Sequence, residues 1–152
     1  MPMDETFRRE ILQLLDQHRT MRIATLRPDG WPQVTTVGYA NDGLAIYFLC
    51  GADSQKAANL ARDDRVSLAV DDDPRQVMDI TGLSMAARAK LVADPAEFEK
   101  ALRLLISRYP NRKGLDLPIP KTSDVCIFRL TPTIVSLLDY SKGFGHTDLI
   151  AC

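Results

Sequence analysis

A run that leaves an apolar segment, turns through a glycine and enters a polar stretch suits the capture of an anion. Leu49-Cys50-Gly51-Ala52-Asp53-Ser54-Gln55-Lys56 is such a run. The first N–H groups of a helix have no intrahelical acceptor and lie at the positive end of its dipole. A phosphate placed there would meet those N–H groups, with the Ser54 hydroxyl and the Lys56 ammonium as further donors. Residue types alone leave a second reading open, in which Ser54 only caps the helix and Lys56 only faces water.

Other positions invite attention for their chemistry. Thr35 and Thr36 project to opposite faces if their segment is a strand, so one of them at most faces a ligand, and Thr36 is taken as that one. Trp31, beside the Asp29-Gly30 turn, could wall a cleft or simply pack. The tail from Asp139 to His146 places glycines beside Phe144 and His146, as in a mobile flap or as in a terminus docked on a partner subunit. No side chain is assigned a catalytic acid or base role. Cys50, Cys126 and Cys152 are odd in number and widely spaced, which predicts reduced, mostly buried thiols. With only His18 and His146 beside them, no metal site is expected.

These residues need elements to position them. Phe7, Ile11, Leu14, Leu15 and His18 recur at helical spacing, which predicts an amphipathic helix ending near Arg19. Strands are expected at 21–27, 32–39 and 44–50, joined by the Asp29-Gly30 and Asn41-Asp42-Gly43 turns into a meander. A helix capped by Asp53 or Ser54 should turn Ala57, Leu60 and Ala61 inward. Val66, Leu68 and Val70 alternate as in a half-buried strand, and a long strand is expected over 76–92 with Gly82 as a bulge or a close approach. Pro95 opens a helix with the stripe Phe98, Leu102, Leu105, Ile106 and Tyr109; a loop over 111–121 and further strand over 125–140, interrupted at Pro132, follow. Many short strands with a few helices predict a mainly β fold as one domain over 1–152, either a closed or partly closed antiparallel barrel or an open antiparallel sheet with helices on one face.

The order and spacing of four pieces resemble the FMN-binding split-barrel family that includes pyridoxamine 5'-phosphate oxidase. Arg22-Ile23-Ala24-Thr25-Leu26-Arg27 is similar to the family's first barrel strand, and Leu49-Cys50 to the end of its third. Ser54-Gln55-Lys56 resembles its Ser-Arg-Lys phosphate clamp with glutamine for arginine, and Arg75-Gln76-Val77 before Gly82 resembles the strand whose glutamine reaches the flavin. A looser match lies at Phe128-Arg129-Leu130-Thr131-Pro132. The resemblance implies FMN held by Arg22 to Leu26, Thr36, Leu49, Cys50, Ser54, Gln55, Lys56 and Gln76. It also implies an antiparallel Greek-key split β-barrel with peripheral α-helices, a homodimer with flavin at the subunit interface, and hydride exchange with NAD(P)H or a small-molecule substrate. The Tyr, Arg and Ser that hold the substrate phosphate in the vitamin-synthesising oxidases have no counterpart here, so pyridoxamine-phosphate oxidation is not expected. Alternatives are a non-catalytic flavin-binding stress-response module, or a split barrel using a deazaflavin or haem.

Composition narrows the field from the other side. A net charge of -1 and no basic run argue against nucleic acid, while the lack of a long apolar run or a leader-like amino terminus argues against a membrane and for the cytoplasm.

Overall fold

The computed structural model describes residues 1–109 and 123–152; the loop expected over 111–121 lies outside the described residues. Helix α1 (Glu5–Gln17) is capped by the Asp4 carboxylate, which accepts from the Phe7 N–H at 2.8 Å, and it buries Ile11 and Leu15. The strands β1 (Thr20–Leu26), β2 (Pro32–Gly38), β3 (Ala40–Asp42) and β4 (Ala45–Gly51) lead into helix α2 (Gln55–Arg62). Then come β5 (Arg65–Asp71), β6 (Thr81–Leu91), helix α3 (Pro95–Ser107), β7 (Val125–Asp139) and β8 (Thr147–Ala151). All ladders among these strands are antiparallel, in the order β2-β1-β5-β6-β7-β4-β3, with β8 also on β7.

The sheet curls on itself because alternate residues are large and apolar on one face only. Ile23, Leu68, Met85 and Val135 follow one another across β1, β5, β6 and β7, and all are buried. Phe48 on β4 stacks on Phe128 of β7 with ring centroids 5.6 Å apart, extending the interior to the other edge. The fold is thus a mainly β split barrel, its opening between β2 and β4, which touch without a shared ladder. A second, smaller apolar layer forms where α3 lays Phe98, Ala101, Leu102 and Leu105 on Tyr47, Val92 and Ile127.

Several expected details change. The first three strands are not one meander: the chain crosses from β2 to the far edge, where β3 and β4 form their own hairpin. Gln76 does not start a strand but precedes a short 3-10 turn (Val77–Asp79), its carbonyl accepting from the Asp79 N–H at 3.0 Å, so β6 begins only at Thr81. The bulge lies opposite Ala86/Ala87, with Thr133 as the extra residue and Pro132 still paired with Ala87, so β7 runs on unbroken, and Gly82 is instead a close approach. Within α2, Asn59 is fully buried while Ala61 is exposed. Cys152 is exposed as well, and only Cys50 of the three thiols is buried. The tail contributes β8, paired with β7 through five residues from Thr147 to Ala151.

One clasp joins elements far apart in sequence. The last turn of α1 has no basic residue of its own to meet its free carbonyls. Arg108, just past α3, supplies them: its Nη2 donates to the Leu15 carbonyl at 2.7 Å and also to the His18 carbonyl. The guanidinium lies over the Tyr39 ring, 5.3 Å from its centroid, and the Tyr39 hydroxyl donates to the same Leu15 carbonyl at 2.6 Å. Burial pushes the Tyr39 hydroxyl up to about 12, so it remains a donor throughout the neutral range. Arg108→Ala should therefore lower stability by about 2 kcal/mol, the loss of charge-assisted bonds to half-buried carbonyls. Arg108→Lys should recover only part of it, because one ammonium lacks the planar fork. Urea midpoints of the three chains check this, and equal midpoints for all would contradict it.

Candidate functional site

The corner between β4 and α2 is built by three local bonds. The Ser54 N–H donates to the Gly51 carbonyl at 3.1 Å, closing the turn. The Ser54 hydroxyl oxygen accepts from the Ala57 N–H at 3.2 Å, capping the helix. The Ala52 N–H is fixed to the Asp124 carbonyl at 2.9 Å, which ties the turn to the chain entering β7. Among the described residues the N–H groups of Gln55 and Lys56, which an α-helix leaves without an internal acceptor, have no partner. No acidic residue occupies the first turn of α2. The corner is therefore electropositive and carries unspent donors.

Lys56 reaches from the corner across the opening of the barrel. Its Nζ donates to the Thr35 hydroxyl of β2 at 3.1 Å, so the helix after β4 bridges to the other edge of the sheet. Among the described residues no carboxylate lies within 4.0 Å of this half-buried ammonium. An ammonium has three N–H donors, and one of them suffices for Thr35.

Gln55 is used differently. Its Nε2 donates to Asn59 Oδ1 at 2.8 Å, and Asn59 Nδ2 donates in turn to Thr25 Oγ1 at 3.0 Å. Asn59 and Thr25 are both buried, and each finds its partner in the other. This chain of amides locks α2 onto β1, and sequence reasoning missed it. The only signal was an asparagine close to the inward positions Ala57 and Leu60 of a short helix, four residues after Gln55.

The expected site residues separate into groups. Thr25, Cys50, Ser54, Gln55 and Lys56 gather around the corner. The Cys50 thiol is pushed up by burial, partly offset by the adjacent Ser54 hydroxyl. Thr35 rather than Thr36 meets Lys56, because Thr35 shares the inner face with Ile23, its partner in the ladder. Thr36 lies on the outer face beside Arg22, whose half-exposed guanidinium pairs with Asp71 at 3.8 Å. Ala24 and Leu26 share that outer face, Ile23 is buried in the core, and Leu49 packs under α3. Gln76 stands exposed in the loop between β5 and β6. Since β2 is a free edge of the sheet, a ligand wrapped around that edge can meet both faces.

The outer face is unusual for a solvated sheet. Val34, Ala24, Ser67, Ala86 and Ile134 follow one another across five strands, small or apolar throughout. Val34 is 64% exposed, Ile134 43% and, in the neighbouring row, Leu149 57%. A cleft of about 450 Å³ opens on this face, with Ala24, Leu26, Ser67 and Ala86 in its floor and Arg65, Arg88 and Thr133 at its rim. Among the described residues no three His, Cys, Asp or Glu side chains converge as a metal set, and no helix is long and apolar enough to cross a membrane.

The family model described as Pyridoxamine 5'-phosphate oxidase matches residues 7–139. No curated protein sequence matches the chain. Among solved structures, the conserved hypothetical protein Rv2991 from Mycobacterium tuberculosis is similar at 28% identity and a TM-score of 0.75, covering 96% of this chain and 91% of that one. An F420 reductase is similar at 30% identity and a TM-score of 0.64, covering 82% and 94%. HutZ, the heme storage protein from Vibrio cholerae, is 21% identical with a TM-score of 0.64, covering 87% and 91%, a likeness of fold.

Proposed function

The chain belongs to the pyridoxamine 5'-phosphate oxidase family, and from that premise we propose that it is an oxidoreductase holding a phosphate-bearing flavin, FMN, with the phosphate at the start of α2. The observation that carries this reading is the Lys56 ammonium, which meets the Thr35 hydroxyl but no carboxylate among the described residues, beside the first N–H groups of α2. The residues present fit such a group: they offer donors and the Lys56 charge, and no acidic side chain lies in the first turn of α2. When bound there, a flavin supplies hydride transfer between a reductant such as NAD(P)H and a small organic substrate. The chain's own work is to hold and orient. Lys56, Ser54 and the helix start grip the anion, the β1 backbone lines the ring, and the outer-face cleft admits the reacting partner.

A second copy of the chain covers the outer face in this reading. Exposed Val34, Ile134 and Leu149 stand among small side chains on a face that borders β1, and apolar side chains grouped on one face mark a surface suited to a partner. The homodimer then shields the cleft from water, and each copy contributes one wall.

One observation favours a second cofactor. The position where the clamp would carry arginine is Gln55, whose amide is committed to Asn59, so Lys56 is the one cationic side chain in the Ser54-Gln55-Lys56 segment. A single ammonium with a helix start suits a singly charged phosphodiester, as in a deazaflavin, at least as well as a terminal phosphate. The 30% identical F420 reductase points the same way. Haem is less well served at His18, whose two ring nitrogens are both engaged, with the Leu14 carbonyl and Asp72.

Titrating the purified chain separately with FMN and with the deazaflavin, followed by fluorescence and sedimentation, tests the reading. Saturable binding of one of them by a dimer is expected. A chain that binds neither, or binds as a monomer with unchanged fluorescence, would sink it.

A further inference from the structure

We propose that Arg65 and Arg88 form an anion-binding subsite at the rim of the outer-face cleft, and that the partner reacting there is a small flat acid with its carboxylate or phosphate on this pair. That the acid is the reacting partner rests on the flavin reading; the anion site itself does not. Arg65 and Arg88 stand directly opposite each other in the β5–β6 ladder. Both project to the outer face, because their chain neighbours Val66 and Ala87 are buried. Like charges set directly opposite each other cost stability, and their Cβ atoms lie about 4.5–5.5 Å apart, so both guanidiniums can reach one acidic group. An anion between them turns that repulsion into attraction.

The turn after α2 holds the two forks ready. Asp63 accepts from Arg65 Nε at 3.0 Å and from its Nη2 at 2.7 Å, and Asp64 accepts from Arg88 Nη1 at 2.7 Å. Each guanidinium carries more N–H groups than its aspartate takes, so donors remain for a ligand. The bonds from Arg65 hold the Asp63 carboxyl down to about 2, so it stays ionised wherever a carboxylic acid ligand is charged. Among the described residues that line the cleft there are both arginines and no carboxylate. Ser67 and Ala86, also directly opposed, lie next to the pair on the same face and leave a floor of short side chains on which a flat ring fits. Thr133, the extra residue of the β7 bulge, stands at the rim with its hydroxyl donating to the Ala86 carbonyl at 3.1 Å. Bulges recur beside sites because they re-aim a side chain in this way. Planar forks match the oxygens of a carboxylate or phosphate better than an ammonium does.

The test titrates the whole chain with trans-cinnamate, phenyl phosphate and the neutral methyl cinnamate, with binding read from the backbone amide resonances. At least one of the two acids should bind about tenfold more tightly than the ester, shift the amides of Arg65, Ser67 and Arg88, and weaken as salt is added. A preference for cinnamate marks a carboxylate site, and a preference for phenyl phosphate marks a phosphate site. Arg65→Gln and Arg88→Gln should each lose most of the preference over the ester, while Arg65→Lys and Arg88→Lys keep part of it. Acids that bind no better than the ester, or a preference that survives both glutamine changes, would overturn the proposal. The ester and salt series use the unchanged chain, so they decide the matter even where a variant does not fold. Flavin affinity of that chain is measured in parallel: an acid preference without flavin binding would leave the anion site standing and remove the acid's role as reacting partner.

Discussion

A Lys56→Ala chain should bind its flavin about 10- to 150-fold more weakly, the equivalent of the roughly 1.5–3 kcal/mol carried by a hydrogen bond to a charged group. The argument rests on where Lys56 sits. Its ammonium is half-buried at the start of α2, touches only the Thr35 hydroxyl among the described side chains, and meets no carboxylate there. Removing it leaves Thr35 on a free edge strand, where water can replace the lost partner, so the unfolding midpoint should hardly move. Thr35→Val separates the two roles of the contact: it removes the resting partner of Lys56 and keeps the charge, so affinity should fall far less. Fluorescence titrations of the three chains read the difference. Equal affinities would mean that the anion is held elsewhere, and Arg22 on the outer face would be the next residue to change.

Gly82→Ala should cost about 3 kcal/mol of stability, the upper end of what overpacking a filled interior costs. A Cβ added there would stand 2.7 Å from the Val70 carbonyl oxygen and 2.8 Å from the Asp71 Cβ. Those atoms belong to the neighbouring strand β5, which Gly82 faces directly at Asp71, so neither can swing aside as a long side chain could. The gain from a stiffer unfolded chain, about 0.4–1 kcal/mol for glycine to alanine, is too small to offset the clash. For a domain of this length the melting temperature should fall by roughly 6–12 °C. A chain that melts within a degree of the original would show that β5 and β6 can part without cost. Because Asp71 also pairs with Arg22, the change should disturb the outer side of the site as well.

The strands and helices themselves were legible wherever the period was strong. Val66, Leu68 and Val70 alternate, Ile11 and Leu15 repeat at helical spacing, and both patterns face the interior as expected. The split-barrel class and the family were legible in the order of the β1, β4 and α2 pieces. What failed was information that lies between segments. Period two says that Thr35 and Thr36 face opposite ways, but only the docking of α2 decides which of them meets Lys56. The pairing of β4 with β7 joins residues near 50 to residues near 126, which local turn signals do not report. Gln76 lies among exposed residues, and Pro74 and Asp79 around it carry the turn that precedes β6. Asn59 was invisible because a polar residue on an inward helix position is recognised only from its partners, here Thr25 and Gln55.

The place of β7 between β6 and β4 bears on how the chain is made. β1, β2, β5 and β6 form one block and β3 and β4 another, and β7 is the strand that joins them. A ribosome delivers β7 late, after β3 and β4 have waited through the synthesis of some seventy further residues, about four seconds at 20 residues per second. During that interval the apolar side of β4, with Phe48 and Cys50, has no strand to cover it, and the sheet can close only by pairings distant in sequence, which are slow. Nascent chains halted before β7 should therefore be the ones that chaperones hold.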